Sequence, residues 1–458
     1  MYKKNEIDLT KGSVFIKLFQ FSVPLIFSSL LQLLFNTADR IVVGQYCSRA
    51  SFSAVTSTGS LINLLVNLFT GLSIGTNIVA ANYYGAGKKK EINETVHTAI
   101  LLSFYSGIIL TVIGIIFAKP ILIAMGAQND FLDLAVIYLR IYFGGITATM
   151  IYNFGSALLR SKGDTKRPLY ILTIAGVINF LLNLFFVIVC KMSVDGVGYA
   201  TVLSQIFASI AVIYLLVKEK EEFHLDFRKL KLNTHIFTKI IKIGLPAGFQ
   251  GIMFSFSNVI IQSSVNSFGE IVINGNGAAA DLEGFVYFTM NGFAQGTLTF
   301  CSQNLGAKKI ERIKKVIFVA VLAVLFMSGI GSLVFIFFGR NLIGFYQDNP
   351  LIIDAGMTRL KVIVTCYYLC GIMDVLANAL RGIGHSMLPF ITSLTGACIF
   401  RIIYLFTIFR MERFHSPVTI YLSYPFSWIL TITANLIIFI VIFSRLQKKY
   451  KNPELIQN

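Results

Sequence analysis

Two carboxylates, Asp39 and Asp374, stand in stretches of sequence that are otherwise apolar. A charge held in hydrocarbon costs on the order of several kcal/mol, so an acid in that setting marks an ion, proton or substrate path. Asp39 shares one helical stripe with Gln32, Asn36 and Arg40. The plainer alternative is an interfacial Asp39–Arg40 pair that closes the helix. Asp374 has Asn378 one turn away, well inside an apolar run. Other polar side chains recur at one- and two-turn spacings: Asn179 and Asn183; Asn63, Asn67, Thr70 and Asn77; Asn291, Gln295 and Thr299. Each set alone reads as hydrogen-bonding glue between helices. Taken with the acids, they suggest a polar cleft inside an apolar body.

The chemistry of soluble enzymes has no foothold here. Gly85-Ala-Gly-Lys88 resembles a phosphate loop, but it lacks the following Ser or Thr and the strand–helix setting. With no nucleotide motif, ATP is excluded as the direct energy source, and no resident cofactor is expected. The five histidines (97, 224, 235, 385, 415) fall in or near expected loops. The six cysteines (47, 190, 301, 366, 370, 398) are scattered in or beside apolar runs and read as free, small core residues. No catalytic residue is assigned; the chain reads as a protein other than an enzyme.

The elements that must hold the two acids follow from composition. Of 458 residues, 55% are hydrophobic and 13% charged, against about 25% charged in a soluble domain. With 41 Phe and a mean hydropathy of +0.73, a soluble, disordered or coiled-coil chain is ruled out. A bilayer core needs about 20 apolar residues per helix. Twelve such stretches are expected, at 15–43, 55–82, 95–117, 132–157, 169–190, 197–217, 238–265, 283–303, 316–338, 359–380, 389–410 and 419–444. The class is therefore an all-α polytopic membrane protein. An even number of spans places both termini on one side.

Charge chooses the side. The formal +17, from 39 Lys and Arg against 22 Asp and Glu, concentrates in alternate segments. These are Lys3, Lys4, Lys11 and Lys17, then Lys88–Lys90, Arg160–Arg167, Lys218–Lys242, Lys308–Lys315 and Arg445–Lys451. Positive charge stays cytoplasmic, so both termini are expected there. The excess is a topology signal, aided by anionic lipid head groups, and needs no nucleic-acid partner. No cleavage site follows the basic start, so the first span is expected to remain. Arg140 and Arg401 read as interfacial or paired.

The sequence also repeats. Arg160-Ser-Lys-Gly163 with Pro168 matches Arg381-Gly-Ile-Gly384 with Pro389, an R-x-x-G-x4-P pattern at an offset of 221. Gly85-Ala86 matches Gly306-Ala307 at the same offset, and Phe15–Asn36 matches Phe237–Asn258 at 222. Six spans per repeat make two parallel, pseudo-symmetric lobes, with any substrate path between them. The expected division is 1–217 (spans 1–6), a linker at 218–236, and 237–458 (spans 7–12). The acids break the symmetry: Asp39 is matched by Ile261, and Asp374 by Asn153.

With these features the chain resembles the multidrug and toxic compound extrusion (MATE) family. The resemblance rests on Pro24–Asp39 (P-L-I-F-S-S-L-L-Q-L-L-F-N-T-A-D), the two Gly-Ala junctions and the paired R-x-x-G-x4-P loops. It implies export of drugs or toxic organic compounds, driven by inward Na+ or H+, as the lobes alternate between outward-open and inward-open states. It also implies a cation-coupling set of Asp39, Asn153, Asn179, Asn183 and Thr201, of which Asp39, Asn179, Asn183 and Thr201 would ligate Na+. A span 7 acid of one family branch is missing; that helix offers Gln250, Asn258 and Gln262. The expected cleft contains Gln32, Asn36, Asn258, Gln295, Asp374 and Asn378.

Either Na+ or a proton at Asp39 would neutralise it, since burial raises a carboxyl pKa. The change would favour a repacked span 1, for which Pro24 offers a kink. The deep candidates being mostly acids, organic cations or zwitterions are expected as substrates. An oligosaccharide-lipid flippase, expected to have a basic cleft, is the rival transporter, and a membrane-embedded transferase the rival enzyme. The expected setting is the plasma membrane, as a monomer, with small molecules and lipids as partners.

Overall fold

The computed structural model describes residues 6–124, 129–346 and 348–451; Lys3 and Lys4 lie outside that range. In hydrocarbon each backbone N–H and C=O must be satisfied within its own segment, and the apolar stretches accordingly fold as helices. The first lobe sequence gives α1 (Val14–Tyr46), α2 (Arg49–Gly85), α3 (Lys89–Ala124), α4 (Asn129–Gly144), α5 (Ile146–Ser161), α6 (Lys166–Leu184) and α7 (Val194–Lys218). The second gives α8 (Thr234–Asn266), α9 (Glu270–Gly306), α10 (Ile310–Gly344), α11 (Pro350–Thr365), α12 (Tyr367–Gly382), α13 (Met387–Ser393), α14 (Phe400–Thr407) and α15 (Pro417–Lys451).

Among the described residues, nine segments are long and apolar enough to cross a bilayer, and two bent pairs raise the number to eleven. The pairs are α4 with α5, bent by 45°, and α11 with α12, bent by 46°. Their breaks fall at Gly145 and Cys366, 221 residues apart, so the bend belongs to the repeat. The expected span 283–303 is α9, which has 37 residues. Its length is ample, but Asp281, Glu283, Asn291 and Gln295 make it polar. That polarity is the first sign of where unit 2 keeps its charges.

The R-x-x-G motif proves to be a helix ending. Gly163 N–H donates to Arg160 O at 2.9 Å and Asp164 N–H to Leu159 O at 3.1 Å. Gly384 and His385 repeat both bonds, to Arg381 O at 2.8 Å and Leu380 O at 3.0 Å. The glycines sit at φ +98 and +91, where a side chain would be strained, and the bonds satisfy the last carbonyls of α5 and α12.

Packing divides the chain into two units: Met1–Asp8 with Phe27–Gly248, and Leu9–Ile26 with Phe249–Asn458. The boundaries differ from the sequence-based division. The first part of α1 packs in unit 2, and segment 218–236 with the first part of α8 packs in unit 1. In unit 1, Asn93 donates to Glu222 O (3.3 Å) and His224 O (2.9 Å). His97 bonds Asn93 O and Asp226 O at 2.7 and 3.1 Å. This histidine was expected near a loop; it is buried on α3 instead. Lys162 pairs with Glu6 and Glu219, and Arg167 with Asp164 and Glu219. Of the cysteines, Cys301, Cys370 and Cys398 are buried and Cys190 is exposed.

Glycines explain why the helix starts pack where they do. In unit 1, a Cβ on Gly71 would lie 2.3 Å from Gly248 N, and one on Gly248 would lie 2.2 Å from Leu68 O. Gly75 and Gly244 meet backbone just as closely, at 2.5 and 2.6 Å. In unit 2, the matching Gly292 and Gly296 of α9 press on Ile26 and Ser22 of α1 at 2.4 and 2.5 Å. Small residues one turn apart let backbones approach in this way. Gly248→Val is therefore expected to lower the melting temperature or the yield of folded protein, because overpacking of this kind costs about 1–3 kcal/mol or more. Gly277→Ala, whose Cβ meets nothing within 4 Å, is the control; thermal-shift size exclusion in detergent compares them.

Candidate functional site

Asp39 lies in α1 of unit 1, one helical turn beyond Phe35. Phe35 packs onto Gly176 of α6 so tightly that a Cβ there would sit 1.8 Å from its ring. That close approach brings together the two polar stripes, because Gly176, Asn179 and Asn183 share one face of α6. Asn183 Nδ2 donates to Asp39 Oδ1 at 2.5 Å and lies 3.3 Å from Asn179 Oδ1. Asn179 Nδ2 reaches Thr201 Oγ1 on α7 at 3.4 Å. Next to Thr201, Gly198 and Val202 pack against Ile141 and Gly145, which seats α7 on the α4–α5 bend.

The result is one chain of side chains, Asp39–Asn183–Asn179–Thr201. Asn183 is 0% exposed, and among the described residues its Oδ1 has no hydrogen-bond donor. A buried carbonyl oxygen without a donor is an available ligand for a hard cation. One residue beyond Asn183, α6 gives way to a π-helical turn at Phe185–Val189, a feature frequent at functional sites. Asn153, expected in the same set, is half-buried on α5, and among the described residues no hydrogen bond joins it to the chain.

The other expected residues are distributed by unit. Gln32 and Asn36 are exposed on α1 in unit 1, and Asn258 is exposed on α8 in unit 2. On α12, Asp374 is half-buried, with the Tyr287 and Asn291 side chains as hydrogen-bond partners. Gln295 donates to Asn291 Oδ1 at 2.6 Å. Asn378 donates to the Asp374 carbonyl at 2.9 Å and accepts from Arg381 Nη1 at 3.2 Å.

Unit 2 also contains an ion pair that the sequence reading missed. Arg359 grips Glu283 with two bonds, Nε to Oε1 at 3.0 Å and Nη2 to Oε2 at 2.8 Å. Its Nη1 donates to Asn276 Oδ1 at 2.8 Å, and Asn276 Nδ2 to Gln262 Oε1 at 3.1 Å. Arg401, read as interfacial or paired, is buried over the Tyr424 ring at 4.3 Å and donates to Ser427 Oγ at 2.8 Å. Thus the deep charges of this unit are not mostly acids. Glu283 and Arg359 opened expected spans 8 and 10, so they passed for helix ends. The helices in fact begin at Glu270 and Pro350, which puts both residues two or more turns inside. Polar residues upstream of each span, such as Asn276 and Asp354, hid the longer helices from a hydropathy reading.

A family model described as MatE matches residues 24–185 and again residues 246–407. The chain belongs to the MATE family. The two matches start 222 residues apart, the offset already seen between Phe15–Asn36 and Phe237–Asn258. The chain is 26% identical over 392 residues to the "Probable multidrug resistance protein YoeA" of Bacillus subtilis, covering 84% of this chain and 85% of that one. It is 23% identical over 384 residues to an "FAD transporter" of Shewanella oneidensis, covering 82% and 84%. Its fold matches an outward-facing multidrug resistance MATE family transporter with a TM-score of 0.90 at 19% identity, covering 96% and 98%. It is a multi-pass, all-α membrane protein of twelve spans in two pseudo-symmetric lobes.

As a MATE protein it carries a buried ion pair whose worth can be measured. Removing one partner of such a pair costs about 3–5 kcal/mol, whereas replacing both with apolar groups is often close to neutral. Glu283→Gln is expected to lower the melting temperature sharply, and Glu283→Leu with Arg359→Met to restore much of it. A double variant no more stable than the single one would show that the pair does more than satisfy its own charges.

Proposed function

We propose that this chain is a cation-coupled antiporter that exports small organic compounds, drugs among them, by alternating access of its two lobes. The observation that carries the reading is the Asp39–Asn183–Asn179–Thr201 chain with its donor-free Asn183 oxygen. An ionised Asp39 with amide and hydroxyl oxygens offers Na+ the ligands a hard cation takes, and the same carboxylate can instead accept a proton. Either event neutralises the negative charge on α1 and replaces the present Asp39–Asn183 hydrogen bond with a different arrangement of the two side chains. The part of α1 beyond Pro24 then repacks, and the substrate site loses affinity.

Relatives named for multidrug resistance support export, and the relative named an FAD transporter supports a substrate range wider than organic cations. Within unit 2, substrate would meet Asn258, Gln295, Asp374 and Asn378. The basic segments support a plasma-membrane protein with both termini in the cytoplasm. It works as a monomer, with lipid as its surroundings.

The test is efflux of a fluorescent organic cation from proteoliposomes under an imposed Na+ or H+ gradient. Asp39→Asn is expected to abolish gradient-driven efflux. Asn183→Ala should weaken apparent cation affinity about tenfold, equivalent to about 1.4 kcal/mol, and Asn153→Ala should weaken it less. Efflux that ignores both gradients, or full coupling in Asp39→Asn, sinks the assignment.

A further inference from the structure

Unit 2 buries more positive charge than its acids balance. Arg359, Arg381 and Arg401 are 7%, 8% and 3% exposed. Against them stand Glu283 and the half-buried Asp374. Arg359 takes Glu283, and Arg401 lies on Tyr424. Arg381 is different. Its Nη1 and Nη2 donate to two neutral oxygens, Asn378 Oδ1 and Gln250 Oε1, and its buried Nε has no acceptor. Among the described residues no carboxylate lies within ion-pair distance of it, although the Asp374 charge acts on it through space. A guanidinium stays charged at any physiological pH, so it cannot escape this environment by losing its proton. Its place in the last turn of α12 offsets part of the cost through the helix dipole. Neutral partners leave much of the rest in place.

Asp374 stands seven residues earlier on the same helix. Seven residues are close to two turns, so both side chains leave one face of α12, about 10 Å apart along its axis. Asn378 lies between them and bonds toward both. One face of α12 therefore carries a half-buried carboxylate at one end and a buried, incompletely satisfied guanidinium at the other.

We propose that this face of α12 takes substrates carrying both a cationic and an anionic group, with Asp374 facing the first and Arg381 receiving the second. The anionic group is a carboxylate or a phosphate, whose paired oxygens match the guanidinium fork and supply the acceptor that Nε lacks. A ligand that is only a cation leaves Arg381 as it is and gains nothing from it. The proposal rests on the export reading above and names its substrate class.

The experiment uses two fluorescent compounds on one aromatic scaffold, an amino-carboxylate and its ethyl ester, which is cationic only. Uptake into proteoliposomes is measured above protein-free liposomes. The wild type is expected to show a KM for the amino-carboxylate about tenfold or more below that for the ester, the scale of a charge-assisted hydrogen bond. Arg381→Gln should bring the KM for the amino-carboxylate up to that for the ester, and Arg381→Lys should keep part of the difference. Equal KM values in the wild type overturn the anion site while export stands, and this comparison needs no variant to fold. An undiminished preference in Arg381→Gln overturns it as well. Transport of neither compound under any gradient is the failure of the export reading itself.

Discussion

An unsatisfied donor or acceptor in hydrocarbon costs on the order of several kcal/mol, and this constraint arranges what is distinctive in both units. It closes α5 and α12 with the same pair of backbone bonds around Gly163 and Gly384. It ties Arg359 to Glu283 with two bonds and passes the remaining donor on through Asn276 to Gln262. It strings Asp39, Asn183, Asn179 and Thr201 into one chain. Of the buried polar atoms left without a partner among the described residues, two belong to the hydrogen-bonded sets that contain the deep acids. Among the described residues Asn183 Oδ1 and Arg381 Nε are both buried and both unmatched, as is Nε of Arg160, the repeat partner of Arg381. The Asn183 oxygen is an acceptor next to the acid of unit 1, and the Arg381 nitrogen is a donor about two helical turns along α12 from the acid of unit 2.

The second constraint is steric. Helices that share few polar contacts associate in lipid by packing, and the closest packing requires small residues. Gly71 and Gly75 take the start of α8, and their repeat partners Gly292 and Gly296 take the start of α1. Each of these two helices then passes from one packing unit to the other just beyond a proline, Pro24 before Phe27 and Pro246 before Phe249. Gly176 does the same service locally, since without it α1 could not approach α6 closely enough for Asp39 to reach Asn183.

The twelve spans and the duplication were legible in the sequence because both are written in long periodic signals: apolar runs, and motifs recurring at 221 or 222 residues. Four of the five residues taken over from the family resemblance lie in one hydrogen-bonded chain, since Asn179 and Asn183 stand at a spacing that puts them on one face. Asn153 does not join them; residue type alone gives no direction for a side chain. The Glu283–Arg359 pair was illegible for a different reason. A hydropathy reading ends a helix at the first charge, whereas a charge with a bidentate partner can lie deep within one. The division into units was equally hidden, because it depends on close contacts at Gly71, Gly75, Gly244 and Gly248, and a glycine in a sequence does not announce what presses on it.

The repeat also shows where chemistry was free to diverge. At the offset of 221, Glu283 and Arg359 correspond to Ile62 and Tyr138, both buried in the core of unit 1. Asn179, Asn183 and Thr201 correspond to Phe400, Tyr404 and Leu422. A polar network in one unit is matched by apolar or aromatic residues in the other, in both directions, though of the last three only Tyr404 is buried. Exchanges of that kind are close to neutral for stability when all partners change together, so the shared scaffold does not dictate which unit holds which charges. The positions that did stay alike are those tied to the backbone: the Gly145 and Cys366 breaks, the close-packed glycines, and Arg160 with Arg381 at the two helix endings. Arg381 differs from its repeat partner mainly in its neighbours, for only in unit 2 does a carboxylate, Asp374, stand two turns before it; the corresponding residue in unit 1 is the neutral Asn153. A helix ending common to both repeats thus becomes, in one of them, half of a two-charge surface.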